Sequence, residues 1–282
     1  MKLLIYYRCI LIIVYKIFKC FIFEELTNGN FMKYIKGFLV LLWRAWMIFL
    51  SLSYVLVIGV FIVLPLSYFD KTFPYIYPLV RFWGKFLLYG TGFTVDYKKH
   101  VALDSNRNYV FVANHSSIMD IMLMFTILKD HPIAFVGKAE LLKIPIFGKI
   151  FERFCIPVDR TNARSKANVY PESIKKLKEN RSIFIFPEGG VTNQKEFEIY
   201  LDPFKNGAFN IAIETKTPLA VIAIHGLNKM FPFNWFRGYP GKIKVRLLTI
   251  FETNNLEINK DREALKEAAF NTILKDLQQC KN

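Results

Sequence analysis

Tyr109-Val-Phe-Val-Ala-Asn-His-Ser-Ser-Ile-Met-Asp-Ile-Met-Leu-Met-Phe125 is the stretch on which the fold class turns. Its first five residues are a β-branched and aromatic run bounded by polar residues, which reads as a buried strand. The apolar part that follows reads as a helix over 117–128. A short polar turn, Asn114-His115-Ser116, joins the two. The same alternation recurs downstream: strands are predicted at 133–136, 156–158, 182–186, 219–224 and 243–248. Helices are predicted at 140–151, 163–179, 207–215 and 260–279. Short apolar strands alternating with helices predict an α/β domain beginning near Thr94. No internal repeat, low-complexity tract or second soluble domain is visible.

Composition narrows the class. The chain has 282 residues, 53% hydrophobic and 16% aromatic, with 38 Lys and Arg against 23 Asp and Glu, a net charge of +15. A disordered chain lacks such apolar content, and a many-span transporter needs repeated apolar runs of about 20 residues. A folded domain touching a membrane or a polyanion remains. A membrane-anchored nucleic-acid-binding or structural protein is the competing class. It predicts cations interleaved with exposed aromatics in a groove, or a binding motif; neither is present, and no nucleic-acid partner is expected. Cys9, Cys20, Cys155 and Cys280 form no C-x-x-C pair, and His100, His115, His131 and His225 form no ligand cluster, so no metal is expected.

The apolar excess lies before residue 93. Residues 3–23 are interrupted by Arg8, Lys16 and Lys19, a poor secretory signal, and read as a membrane-surface helix or weak anchor; the alternative is a translation start at Met32. The run 45–69 holds 25 uncharged residues. As a helix it reaches about 37 Å against a hydrocarbon core of about 30 Å, which predicts membrane insertion. Three cations precede it (Lys33, Lys36, Arg44) and three follow (Lys71, Arg81, Lys85), so charge asymmetry gives no orientation. Such a tie also suits a hairpin dipping into one leaflet, with a break at Gly59 or Pro65. Residues 74–92 read as an amphipathic helix at head-group level. The aromatic segment 230–239 reads as a second interfacial contact or as core packing.

His115 sits at the strand-to-helix junction. On an ideal helix Asp120 would lie about 140° around from it. Across a non-helical turn, the carboxylate reaches one imidazole nitrogen, fixes the tautomer and leaves the other nitrogen as a general base. The plainer reading is a helix cap with a solvated aspartate. Three further blocks follow: Lys138-Ala-Glu-Leu141 with Ile144-Pro-Ile-Phe-Gly148 and Ile156-Pro-Val-Asp-Arg160; Phe184-Ile-Phe-Pro-Glu-Gly-Gly190; and Phe204-Lys-Asn-Gly-Ala-Phe209 with Thr217-Pro-Leu-Ala-Val-Ile222. Singly the first of these reads as a basic amphipathic helix before a strand and the second as an ordinary strand-end turn.

In this order the four blocks resemble the 1-acyl-sn-glycerol-3-phosphate acyltransferase (lysophosphatidic acid acyltransferase) family. That family's signature is N-H-x4-D, then K-x-E-L through I-P and G to D-R, then F-P-E-G-T-R, then P-F-K-x-G-A-F. Identity falls at His115, Asp120, Asp159, Arg160, Pro187, Glu188 and Gly189. The resemblance implies a single α/β acyltransferase domain over 94–282, with a mixed central sheet flanked by helices, and a membrane-associated helical region over 1–93. It implies His115 as general base assisted by Asp120, and substrate binding by Lys138, Arg160, Glu188, Gly189 and Lys205. It implies no bound cofactor, with acyl-CoA or acyl carrier protein as donor and a lysophospholipid acceptor at a membrane, the catalytic domain on the cytoplasmic face. One departure matters: Gly190-Val191 stands where the family has Thr-Arg, and that arginine is thought to hold the substrate phosphate. Lys138, Arg160 and Lys205 are the candidate replacements; a phosphate-free lyso-aminolipid or another lysophospholipid is the alternative acceptor.

Overall fold

This computed structural model describes residues 30–144, 146–191 and 201–279; the predicted surface helix at 3–23, three of the four cysteines and the residues from Thr192 to 200 lie outside them. Seven strands form one mixed sheet: β1 (Thr94–Lys99), β2 (Val110–Ala113), β3 (Ile133–Lys138), β4 (Cys155–Val158), β5 (Ser182–Ile185), β6 (Leu219–His225) and β7 (Lys242–Phe251). Their order is β1-β7-β6-β2-β5-β3-β4. Every pairing is parallel except β6 with β7. The expected α/β fold with a mixed sheet is what the chain adopts. The alternating strand pattern divides the core between two faces. Phe111, Ala113, Phe135 and Phe184 point to one cluster, and Val110, Val112, Ala134 and Ile183 to the other.

The first face is covered by α3 (Phe73–Gly90), α4 (Met119–Ile127) and α5 (Phe147–Phe154); the second by α6 (Ala163–Lys178), α7 (Gly207–Glu214) and α9 (Ile258–Gln279). A single helical turn, α8 (Leu227–Met230), follows β6. Two local expectations fail for identifiable reasons. No helix runs over 140–151: a 3-10 turn at Ala139–Lys143 ends at Ile144, which is extended at φ −75, ψ 120. Ile144 precedes Pro145, whose ring disfavours helical geometry there, and α5 starts afresh at Phe147. Strand β1 was not expected: its apolar alternation is only Val95 and Tyr97, both packed on the core, and it is an edge strand held by its ladder to β7.

The apolar N-terminal element is one continuous helix. α1 (Asn30–Tyr54) runs through a π-helical stretch, Val55–Val63, into α2 (Leu64–Ser67). The break expected at Gly59 or Pro65 does not occur. Leu64 N–H bonds back to the Gly59 carbonyl in the wider π pattern, and the helix carries on through Pro65 to Ser67. Met32–Ser67 is, among the described residues, the one helix long and apolar enough to cross a membrane. The chain reverses instead at 68–72, and α3 returns along α1. Tyr54 Oη donates to the Leu79 carbonyl at 2.8 Å, Trp46 Nε1 to Gly90 at 2.9 Å and Trp43 Nε1 to Thr91 at 2.8 Å. α3 is also a core helix: Ile76 and Leu88 are fully buried, and Gly84 brings its backbone against the Met122 carbonyl with no room for a side chain.

Candidate active site

The parallel strands β2, β5, β3 and β4 all end at one edge of the sheet, where an open α/β sheet offers a crevice. Asn114 fixes the end of β2. Its Nδ2 donates to the Ile224 carbonyl (2.9 Å) and its Oδ1 accepts from the Ile224 N–H (2.8 Å), tying β2 to the end of β6. Residues 114–118 are non-helical, so the chain turns tightly enough for Asp120 to reach back. Asp120 Oδ2 lies 2.9 Å from His115 Nδ1 and also accepts the N–H groups of Ser116 (2.7 Å) and Ser117 (2.9 Å). Asp120 is fully buried, so three donors converge on one carboxylate oxygen that solvent does not reach. Because a carboxylate only accepts, Nδ1 carries the proton and Nε2 is the lone-pair nitrogen of the neutral ring. The imidazole stacks on Phe186 with centroids 4.0 Å apart and planes at 13°. Nε2 makes no hydrogen bond among the described residues, and 14% of the side chain is exposed.

Glu188, at the end of β5, is buried behind this histidine. Its Oε1 accepts the His115 N–H at 2.6 Å and its Oε2 accepts the Asp202 N–H at 3.1 Å. Burial pushes its carboxyl up to about 7 against the pull of those two N–H groups, and the Asp202 and Asp120 carboxylates push the same way. Both oxygens are therefore spent on holding two backbone segments together. Gly189 is left-handed at φ +82, its N–H bonded to Phe186, and a side chain there would collide with the Lys205 ammonium. Lys205 is held over the turn by its own N–H bond to the Pro187 carbonyl at 2.9 Å. At Gly190 a Cβ would stand 3.5 Å from Arg160 Nη1. Asp159 shapes the turn that presents Arg160: its Oδ1 accepts from Thr161 N–H (2.9 Å) and Thr161 Oγ1 (2.7 Å).

The structure thus brings His115, Asp120, Glu188, Gly189, Arg160 and Lys205 to one end of the sheet. Lys138 closes β3, exposed, and its side chain makes no hydrogen bond or ion pair among the described residues. Cys155 is buried, and burial pushes its thiol up, which disfavours the thiolate a nucleophile needs. Sequence reasoning missed Phe186 as the platform for the imidazole. It also missed Asp202 and the Phe231 carbonyl, which accepts from Ser117 Oγ at 2.9 Å. Only long-range packing brings these to the turn, and no local spacing signals them.

Residues 94–225 match the Acyltransferase family model. Over that stretch, just under half of the chain, the protein is similar to an acyltransferase domain. The match begins on the first residue of β1 and ends on the last of β6. A 1-acyl-sn-glycerol-3-phosphate acyltransferase of Brassica napus is 32% identical over 124 residues, 44% of this chain and 34% of that one. The Cocos nucifera protein of that name is 29% identical over 161 residues (55% and 50%), and the Escherichia coli protein 28% over 174 (61% and 68%). The chain spans about a third of the Brassica protein and half of the coconut one. The crystal structure of the 1-acyl-sn-glycerophosphate (LPA) acyltransferase PlsC of Thermotoga maritima superposes with a TM-score of 0.69 at 22% identity, covering 88% of this chain and 98% of that one. That likeness shows a shared fold over nearly the whole chain.

Proposed function

We propose that the protein moves a fatty acyl group from a thioester donor, acyl-CoA or acyl carrier protein, to the sn-2 hydroxyl of lysophosphatidic acid, giving phosphatidic acid. The observation that carries this is the histidine at the end of β2, with Nδ1 fixed on a buried carboxylate and Nε2 open. His115 Nε2 takes the hydroxyl proton as the oxygen attacks the thioester carbonyl. Asp120 stabilises the imidazolium that forms. The tetrahedral oxyanion collapses, the C–S bond breaks, and His115 returns its proton to the leaving thiolate. The N–H groups of His115, Ser116, Ser117 and Gly189 already donate elsewhere. The oxyanion therefore falls to donors beyond Gly189, beside the Arg160 guanidinium. No acyl-enzyme is needed.

Arg160 and Lys205 flank the Gly189–Gly190 turn, where the family's arginine is absent, and together supply the acceptor's phosphate contact. Lys138 is a weaker contributor at the rim. The missing arginine also supports a second reading, a phosphate-free lysolipid as acceptor. Residues 1–93 serve as the membrane-associated region and 94–282 as the catalytic domain on the cytoplasmic face, acting on lipids held in the bilayer.

The test is acyl transfer by the purified protein with lysophosphatidate and with phosphate-free lysolipids. Lysophosphatidate is expected to be preferred. Lys205→Met and Arg160→Met should each raise its KM about 10- to 100-fold, the worth of one charge-assisted bond, with little change for the phosphate-free acceptor. Equal use of both acceptors by the wild type would replace the first reading with the second.

A further inference from the structure

Arg44 stands inside the apolar helix α1 and is 4% exposed. It meets no carboxylate among the described residues. Instead its Nη2 lies 2.6 Å from the Pro232 carbonyl, 2.9 Å from Asn234 and 2.7 Å from Arg237. The guanidinium plane also covers the Phe231 ring at 4.4 Å and the Trp235 ring at 5.5 Å. A buried cation is costly unless its donors are paired; here one loop brings three carbonyls to Nη2, while Nε is buried without a hydrogen-bond partner among the described residues and its charge is covered by the two rings. Reciprocally, carbonyls that would face one another in repulsion are drawn together by a positive centre.

The loop so gathered has a buried stem and an apolar tip. Phe231 is 5% exposed and packs edge-on against Trp43 and Phe93. Phe233, Trp235, Phe236 and Tyr239 stand out, at 56, 53, 63 and 53% exposure. Packing against the core, one of the two readings from sequence, holds only for the stem. The tip lies along the start of α1. A Cβ on Gly37 would meet Phe236 at 3.7 Å, and one on Gly238 would meet Trp43 at 3.2 Å. Phe38 and Leu42 are exposed on the same stretch of α1.

We infer that the 231–239 loop is a second bilayer contact, clamped to the membrane helix by Arg44, and that its occupant is the head-group region of an anionic phospholipid bilayer. This rests on the membrane reading proposed above. Charge selects the occupant. Residues 30–69 and 226–251 contain no Asp or Glu, while Lys33, Lys36, Lys229 and Lys242 flank the aromatics. Aromatic side chains ringed by cations suit the interface of an anionic leaflet. A second copy of a chain with net charge +15 is repelled by the same cations. The clamp also couples the contact to the site, because the Phe231 carbonyl accepts from Ser117 in the His115 turn.

The test uses the full chain and vesicles of phosphatidylcholine with one quarter phosphatidylglycerol. Trp235→Glu combined with Phe236→Glu is expected to weaken vesicle binding at least tenfold, while turnover of short-chain substrates dissolved as monomers stays within about twofold. A second measurement does not depend on that variant folding: brominated phosphatidylcholine should quench wild-type tryptophan emission, and Trp235→Phe should remove a quenched component. Unchanged binding in the double variant, or an unquenched Trp235, overturns the inference. So does the finding that the double variant abolishes self-association in lipid-free solution while leaving vesicle binding intact. A wild type that binds vesicles through this loop yet transfers no acyl group would leave this inference standing and sink the enzymatic reading alone.

Discussion

His115 follows β2 and meets Asp120 at 2.9 Å, while His225 ends the neighbouring strand β6 and meets Asp276 at 2.6 Å. Both side chains are mostly buried, at 14% and 11% exposure. By distance alone the second pair is the better one. The surroundings differ. Asp120 takes its two further donors from the backbone of the same turn, so the carboxylate cannot swing, and His115 presents Nε2 outward. Asp276 gives its second oxygen to Arg246 at 2.8 Å, and His225 spends Nε2 on the pair. The first arrangement leaves a ring nitrogen open at the edge of the sheet where the parallel strands end. The second fastens α9 to β6 and β7. A histidine–aspartate contact therefore says little until the free nitrogen and the carboxylate's other partners are known.

The sharpest way to break this contrast is to remove each histidine. His115→Ala should lower kcat about 10³-fold, within the range for a general base, with a melting temperature within a few degrees of wild type. His225→Ala should leave kcat within about threefold and lower the melting temperature by roughly 2–5 °C, the worth of about 1–3 kcal/mol of lost buried hydrogen bonding in a chain of this size. Steady-state acyl transfer and a thermal melt on both variants decide it. Comparable loss of activity in the two would end the distinction.

Glu188 offers a finer test of the first arrangement. Glu188→Gln must turn an amide N–H₂ toward a backbone N–H that the carboxylate accepted. The displaced His115 turn should cost about 10²-fold in kcat, as a misplacement near 1 Å does. The pH dependence of stability has a definite sign. Burial raises the folded carboxyl from 4.5 to about 7, so the folded chain holds this proton more tightly than the unfolded one. The stability it contributes is full below the unfolded value and is lost as pH rises through about 7. Between pH 5 and 8 the wild type should therefore lose about 1–3 kcal/mol relative to the glutamine variant. Chemical denaturation across that range measures it, and parallel pH profiles would show that the acid is not buried as described.

How much of this was readable in the sequence depends on chain separation. His115 and Asp120 are five residues apart on a strand-turn-helix unit, so their meeting depended only on the turn being non-helical. The absence of an arginine after Glu188-Gly189 was equally plain. Lys138, Arg160 and Lys205 were legible as candidate replacements; which of them stand beside the turn was not, because Arg160 and Lys205 arrive from a turn after β4 and a loop before α7. Helix α3 read as a surface helix because its aromatics look amphipathic, yet Ile76 and Leu88 are fully buried against the sheet. The edge strand β1 offered only a two-residue alternation, Val95 and Tyr97, too short to stand out before its partner β7 was known. Arg44 counted only as one of three cations before an apolar run, since its carbonyl partners lie about 190 residues away.

The smallest expected effect probes the second arrangement. Burial opposes the charge on Asp276, but the hydrogen bonds from His225 and Arg246 outweigh it and hold the carboxyl below its usual range. A carboxylate held low contributes stability above its unfolded value, near pH 4, and loses it as pH falls further. Asp276→Asn keeps the shape and weakens both charge-assisted bonds. At pH 7 it should destabilise the chain by about 1–2 kcal/mol, and the difference from wild type should shrink as the pH is brought below about 4. Acyl transfer at pH 7 should stay within about twofold, because Asp276 touches none of the groups around His115. Hydrogen exchange should show faster opening of α9 while β2 and the His115 turn keep their protection. Should the turn open together with α9, the two histidines would share one cooperative unit, and the contrast between them would be one of chemistry but not of stability.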